Sequence, residues 1–169
     1  MLDLDLFEAR ARAIVEAATK RRLMIATAES CTGGLVAGLL TAIPGSSAVF
    51  DRGFVTYSNQ AKIEMLGVCG ALLEQVGAVS REVAEAMATG TVARSRADIA
   101  VSVTGIAGPS GGSADKPVGL VHFAALRRGG EPITLERRFG DLGRDAVRRA
   151  AVEQALDLID ELLANGATA

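Results

Sequence analysis

The segment "TAESCTGG", Thr27–Gly34, packs hydroxyls, a carboxylate, a thiol and two glycines into eight residues. It follows the apolar run "LMIA", Leu23–Ala26, and runs straight into another, "LVAGLL", Leu35–Leu40. The first run reads as the start of a buried strand, about Leu23 to Thr27, and the second as a short helix. Ser30 therefore falls where a strand turns into a helix, a common place to build a site.

Upstream, Leu4, Phe7, Ala11, Ile14, Val15 and Ala18 recur at helical spacing, so the first twenty residues predict an amphipathic helix. Downstream, "IPGSS" (Ile43–Ser47) is a Pro-Gly loop, and "FDRGFVTYS" (Phe50–Ser58) is strand-like. "NQAKIEML" predicts a helical turn that Ser58 or Asn59 caps, and Ser80 caps a helix over about Arg81–Ser95. "IAVSVTG", Ile99–Gly105, is a β-branched buried strand that enters the Gly-Pro loop "IAGPSGGSADKP". Two more strands follow, "VGLVHFAAL" and "ITLERRF". A final helix from near Gly143 sets Val147, Ala151, Ala155, Leu158, Ile159 and Leu162 on one face. Helices alternating with strands, then a strand pair, predict an α/β protein. It is expected to be a three-layer α/β/α sandwich on a mixed, mainly parallel sheet of about five strands. Ligands of such sheets bind outside the carboxyl ends of the strands. "ESCTGG", "YSNQAK" and "TGIAGPSGG" each follow an apolar strand, so three polar clusters are expected to converge on one cleft.

The chain of 169 residues, 49% hydrophobic and 22% charged, fits one domain spanning 1–169. Its net charge of −2 is spread along the sequence, against a nucleic-acid footprint, which needs clustered Lys and Arg. Aromatic residues make up 4% with no Trp, leaving few platforms on which bases could stack. No apolar run approaches the roughly 18 residues of a membrane span. The start, "MLDLDLFEAR", is acidic where a secretory signal is basic, so a cytoplasmic location is the expectation. Cys31 and Cys69 have no metal-ligand spacing, and no metal or cofactor is expected.

Ser30, Cys31, Thr32 and Thr104 are the candidate nucleophiles. A serine needs a base, commonly His. The sole histidine, His122, sits inside an apolar strand and reads as structural. Serine chemistry is thereby directed toward a Ser-Lys arrangement. Of Lys20, Lys62 and Lys116, Lys62 lies nearest a strand end, five residues after the sole tyrosine, Tyr57, which could relay a proton. A lysine base must titrate below its usual value of about 10.4, through burial or nearby cations. Spacing alone fits a solvated surface lysine beside a core tyrosine at least as well. Gly33 and Gly34 fit backbone donors for an oxyanion or phosphate, or close helix–sheet packing. A thiol at a helix start can have a lowered pKa, which makes Cys31 a rival nucleophile. "GPSGGSADK" fails as a phosphate-binding P-loop because Lys116 lies four residues past Gly112 and precedes Pro117. Arg144 in the first turn of the last helix, followed by Arg148 and Arg149, opposes the helix dipole. Either an external anion answers these charges or Asp141 and Asp145 offset them.

"TAESCTGGLVAGLLTAIPGSSAVFDRGFVTYSNQAK", "SVTGIAGPSGGSADKPVGLVHFA" and "RDAVRRAA" closely resemble the CinA C-terminal domain family, over about residues 7–163. Standalone members of that family are nicotinamide mononucleotide (NMN) deamidases of bacterial NAD recycling, and this chain resembles the standalone form. The resemblance implies a metal-free serine amidohydrolase with Ser30 as nucleophile, Lys62 as base and Tyr57 assisting. It implies that Cys31, Thr32, Gly33, Gly34, Thr104, Gly105 and Arg144 bind substrate, with Arg144 facing the nucleotide phosphate. Family analogy and the apolar helix faces also imply a homo-oligomer. A non-catalytic pyridine-nucleotide-binding module is the alternative.

Overall fold

The structure, a computed structural model, describes residues 5–165. Its strands are β1 (Ile25–Glu29), β2 (Phe50–Val55), β3 (Ile99–Gly105), β4 (Leu120–Arg127) and β5 (Ile133–Arg138). Its α-helices are α1 (Glu8–Arg21), α2 (Leu35–Thr41), α3 (Asn59–Leu66), α4 (Gly70–Val76), α5 (Arg81–Ala93) and α6 (Arg144–Ala164). The strands form one sheet in the order β2-β1-β3-β4-β5. The β1–β2 and β1–β3 ladders are parallel, and the two ladders involving β4 are antiparallel. Four strands thus point one way and β4 points back, giving the mixed sheet the sequence predicts.

Alternation along β3 explains the two covering layers. Ile99, Val101 and Val103 face the large core beneath α1 and α6, while Ala100 faces α5. Ser102, on that second side, donates its hydroxyl to the Ala84 carbonyl of α5 at 2.6 Å. Small residues on one face let α5 pack close, and branched residues fill the space under α6. The predicted α6 face is buried throughout, from Val147 to Leu162. In α1, Ala11, Ile14, Val15 and Ala18 are buried and Phe7 joins the same core, while Leu4 lies outside the described residues. Among the described residues no helix is long and apolar enough to cross a membrane.

Three local differences from the sequence reading shape the site. First, β1 runs two residues further than hydropathy indicates and ends on Glu29, whose side chain is fully buried. Second, β2 stops at Val55, and the next three residues leave the sheet, with Ser58 capping α3 through its hydroxyl to the Ala61 N–H at 3.0 Å. Third, α4 adds a helix the sequence reading does not contain: it begins at a glycine with no side-chain N-cap, so only its end, before Gly77, carries a usual boundary signal. Gly90 of α5 lets α3 approach, since a Cβ there would run into the Leu66 carbonyl. That approach buries Lys62 and Leu66, the inward residues of α3.

Candidate active site

The connection from β1 passes through α2 to β2 on one side of the sheet, whereas β3 lies on the other side of β1. The chain therefore reverses its direction of winding at the carboxyl ends of β1 and β3, where open α/β sheets bind ligands. A cavity of about 340 Å³ lies there, lined by Ser30, Cys31, Tyr57, Asn59, Lys62, Thr104, Gly105, Arg144 and the loop after β3. A larger cavity of about 470 Å³ between α3, α4 and α5 contains neither Ser30 nor Lys62.

Lys62 is 1% exposed, so the solvated-lysine alternative does not hold. Its Nζ donates to Ser30 Oγ at 3.1 Å and to the Thr56 carbonyl at 2.8 Å. Both contacts follow from the chain path: Ser30 directly follows β1, Thr56 directly follows β2, and Lys62 is one turn into α3. Among the described residues no carboxylate bonds this amine, so burial lowers its pKa, with a smaller opposing effect from Cys31. A buried amine with a lowered pKa, set against a serine hydroxyl, is the geometry a Ser-Lys pair needs.

Tyr57 departs from its expected part. Its side chain is 61% exposed, and its hydroxyl accepts from Arg144 Nη2 at 3.0 Å rather than bonding Ser30 or Lys62. With β2 ending at Val55, Tyr57 precedes the helix and faces outward while Lys62 turns inward. It is neither a core tyrosine nor, in this geometry, a proton relay. The other Arg144 branch, Nη1, donates to the Gly108 carbonyl at 3.0 Å. Arg144 thus spans the cavity mouth between the segment after β2 and the loop after β3.

The turn after Ser30 is also wired differently from the expectation. Thr32, Gly33 and Gly34 do not line the cavity. The Gly33 N–H donates to the Ser30 carbonyl at 3.0 Å, and the Gly34 N–H donates to Glu29 Oε2 at 3.0 Å. Neither amide is left for an oxyanion. The glycines serve conformation instead, with φ of 63° and 96° respectively. Glu29 also accepts from the N–H groups of Val36 at 3.1 Å and Ala37 at 2.8 Å. A buried carboxylate on three amides at a helix start offsets its desolvation and complements the dipole. Hydropathy hides Glu29, because a charge inside a buried strand reads as the strand's end.

Thr104 is buried and gives its hydroxyl to the Ala78 carbonyl at 2.8 Å, while Gly105 packs against β4, where a Cβ would crowd Val121. Cys31 is buried, and desolvation pushes its thiol up to about 12. The lowered pKa that a Cys31 nucleophile needs is therefore absent. His122 pairs in register with Thr104 but lies outside the cavity, 3.7 Å from Glu136, with its pKa lowered by burial. Arg148 answers its own charge internally, donating to the carbonyls of Cys31 and Thr32.

The profile of the CinA C-terminal domain family matches residues 7–163. The chain is 54% identical over 145 residues to the nicotinamide-nucleotide amidohydrolase PncC of Escherichia coli K12, covering 85% of this chain and 87% of that protein. It is 47% identical to a putative competence-damage inducible protein of Caldicellulosiruptor saccharolyticus, covering 90% of this chain but 36% of that longer protein. The crystal structure of competence/damage inducible protein CihA from Agrobacterium tumefaciens superposes with a TM-score of 0.91 at 57% identity, covering 92% of this chain and 94% of that one. A CinA superfamily protein from Klebsiella pneumoniae superposes at 0.88 with 37% identity, covering 94% and 98%. By profile, sequence and superposition alike, the chain belongs to the CinA C-terminal domain family.

Proposed function

We propose that this protein hydrolyses the carboxamide of NMN to nicotinic acid mononucleotide and ammonia, with Ser30 as nucleophile and Lys62 as its base. The observation that carries the reading is the buried Lys62 amine 3.1 Å from Ser30 Oγ. It occurs in a chain 54% identical to a nicotinamide-nucleotide amidohydrolase.

In the reaction, neutral Lys62 keeps one N–H on the Thr56 carbonyl and turns its lone pair to the Ser30 hydroxyl. Ser30 Oγ attacks the carboxamide carbon as its proton passes to Lys62. The tetrahedral oxyanion collapses, the C–N bond breaks, and the leaving nitrogen takes that proton from Lys62 to depart as ammonia. A water then gives a proton to Lys62 and attacks the Ser30 ester, and the serine oxygen leaves and recovers the proton. The net change is amide plus water to acid plus ammonia. Backbone amides beside Ser30 receive the oxyanion. Arg144, at the mouth, meets the phosphate, and Thr104 and Gly105 form the wall beside the pyridine ring. The substrate is a cytoplasmic nucleotide, and the enzyme acts there.

Two expectations follow from these roles. Arg144→Met should raise KM for NMN by about tenfold or more while changing kcat less, the pattern of a lost charged contact to a remote group. Steady-state kinetics checks it. Cys31→Ala should lose less than about tenfold in kcat/KM, because the thiol packs and does not react. The activity itself is tested by incubating the protein with NMN and EDTA and quantifying both products. Ammonia and nicotinic acid mononucleotide are expected in equal amounts. Calorimetric binding of NMN with no ammonia would instead make the protein a non-catalytic pyridine-nucleotide-binding module.

A further inference from the structure

Most polar side chains that line the Ser30 cavity are committed to partners within the protein. Lys62 donates to Ser30, Thr104 donates to the Ala78 carbonyl, and Arg144 donates to Tyr57 and to the Gly108 carbonyl. Two are left over. Among the described residues, Asn59 and Ser110 line the cavity with an amide and a hydroxyl that bond no protein group. Asn59 opens α3, and Ser110 lies in the loop after β3.

Position and chemistry single out Asn59. It stands three residues before Lys62 on α3, so the two share a face of that helix. At a rise of about 1.5 Å per residue, Asn59 lies about 4.5 Å nearer the helix start. That end is the open one. Lys62 is buried, Asn59 is exposed, and Tyr57, just before the helix, meets Arg144 at the mouth. Asn59 therefore stands between the depth of the cavity, where Lys62 holds Ser30, and its mouth, where Arg144 is. NMN has its parts in the same order: the carboxamide at one end, the phosphate at the other, and the pyridine ring and ribose between. The ribose carries two adjacent hydroxyls, each a donor and an acceptor. A side-chain amide offers an acceptor oxygen and N–H donors in one plane, enough for both hydroxyls, whereas a serine spans one.

We propose that Asn59 reads the ribose of the substrate, its amide bonding the 2′ and 3′ hydroxyls, and so makes the enzyme selective for a ribonucleotide. The proposal deepens the reading of the site as an NMN amidohydrolase and rests on it. Asn59 takes no part in proton transfer. It holds a portion of the substrate that does not react, so its contribution is the same before and during the reaction and falls on KM.

The test measures ammonia release from NMN, and from NMN lacking either the 2′ or the 3′ hydroxyl, for wild type, Asn59→Ala and Ser30→Ala. A hydrogen bond between uncharged groups is worth up to about tenfold. Wild type should prefer NMN over at least one deoxy analogue by about tenfold in kcat/KM. Asn59→Ala should raise KM for NMN about tenfold with kcat within about threefold, and should handle NMN and that analogue within about twofold of each other. A residue that merely starts α3 would, when replaced, lower the values for all three substrates by one factor and leave the preference intact, which overturns the proposal. A wild type that treats the three substrates alike overturns it too. Ser58 supplies the helix cap, so Asn59→Ala should fold. If it does not, Asn59→Leu, which keeps the shape without the amide, decides by the same comparison. Wild type without turnover, or Ser30→Ala with full turnover, overturns the underlying reading and this proposal together. An active wild type, an inactive Ser30→Ala and an unchanged preference in Asn59→Ala overturn the ribose contact alone.

Discussion

Ser30→Ala is expected to lower ammonia release from NMN by at least about 10³-fold while NMN still binds within severalfold of wild type. The size follows from the role. A nucleophile and its base act as one unit, so removing the atom that forms the covalent bond forfeits the gain of the whole pair. Binding survives because the oxygen removed is one small part of the cavity, while Arg144, Thr104 and the loop after β3 remain. The variant should also fold as well as wild type. Ser30 Oγ meets the Lys62 amine but caps no helix, and the turn is tied by its backbone through Ser30, Gly33 and Gly34. Calorimetry with NMN alongside the ammonia assay separates the two effects. Loss of binding in step with loss of turnover would assign Ser30 to substrate affinity instead.

Lys62→Met is expected to abolish turnover to a similar degree and, in the opposite direction, to stabilise the fold. The amine is buried on the Ser30 hydroxyl and the Thr56 carbonyl and has no carboxylate partner among the described residues. Functional groups held in unfavourable surroundings commonly cost stability, and replacing this one should return about 1–2 kcal/mol, or roughly 2–8 °C in Tm. The pH dependence gives the sign. Burial lowers the folded-state pKa below the ordinary lysine value of 10.5. Below the lowered value both folded and unfolded chains hold the proton, and the burial penalty is present in full. Between the lowered value and 10.5 the unfolded chain binds more protons, so wild-type stability rises with pH across that window. Lys62→Met should lack this rise in denaturant titrations. In wild type, kcat/KM should climb along the same limb as the amine becomes the base. A profile flat through that window would remove Lys62 from the proton transfer.

Much of the architecture was legible from residue pattern because local and global preferences agree here. β3 occupies the predicted Ile99–Gly105, Ser58 and Ser80 cap the predicted helices, and α6 buries the predicted face. Elimination, with His122 in an apolar strand and lysines few, pointed only toward a Ser-Lys arrangement, and the family resemblance assigned it to Ser30 and Lys62. What stayed hidden depends on contacts and boundaries that hydropathy does not carry, some local and some distant in sequence. Glu29 looks like a strand terminator until its three amide partners at the start of the next helix are known. Arg148 looks like a dipole violation until α6 is laid against a turn more than a hundred residues earlier. Tyr57 was misread because a strand was extended through Ser58. Ending it at Val55 turns the ring outward and hands its hydroxyl to Arg144.

The covalent step is tested most directly by running wild type on NMN in the presence of hydroxylamine, with Ser30→Ala as the control. An ester on Ser30 partitions between water and the stronger nucleophile. The account predicts a nicotinoyl hydroxamate mononucleotide that increases with hydroxylamine at the expense of nicotinic acid mononucleotide, and that is missing with Ser30→Ala. Nicotinic acid mononucleotide as the sole product at every hydroxylamine concentration, with ammonia still released, would mean that water attacks the amide directly and would contradict it.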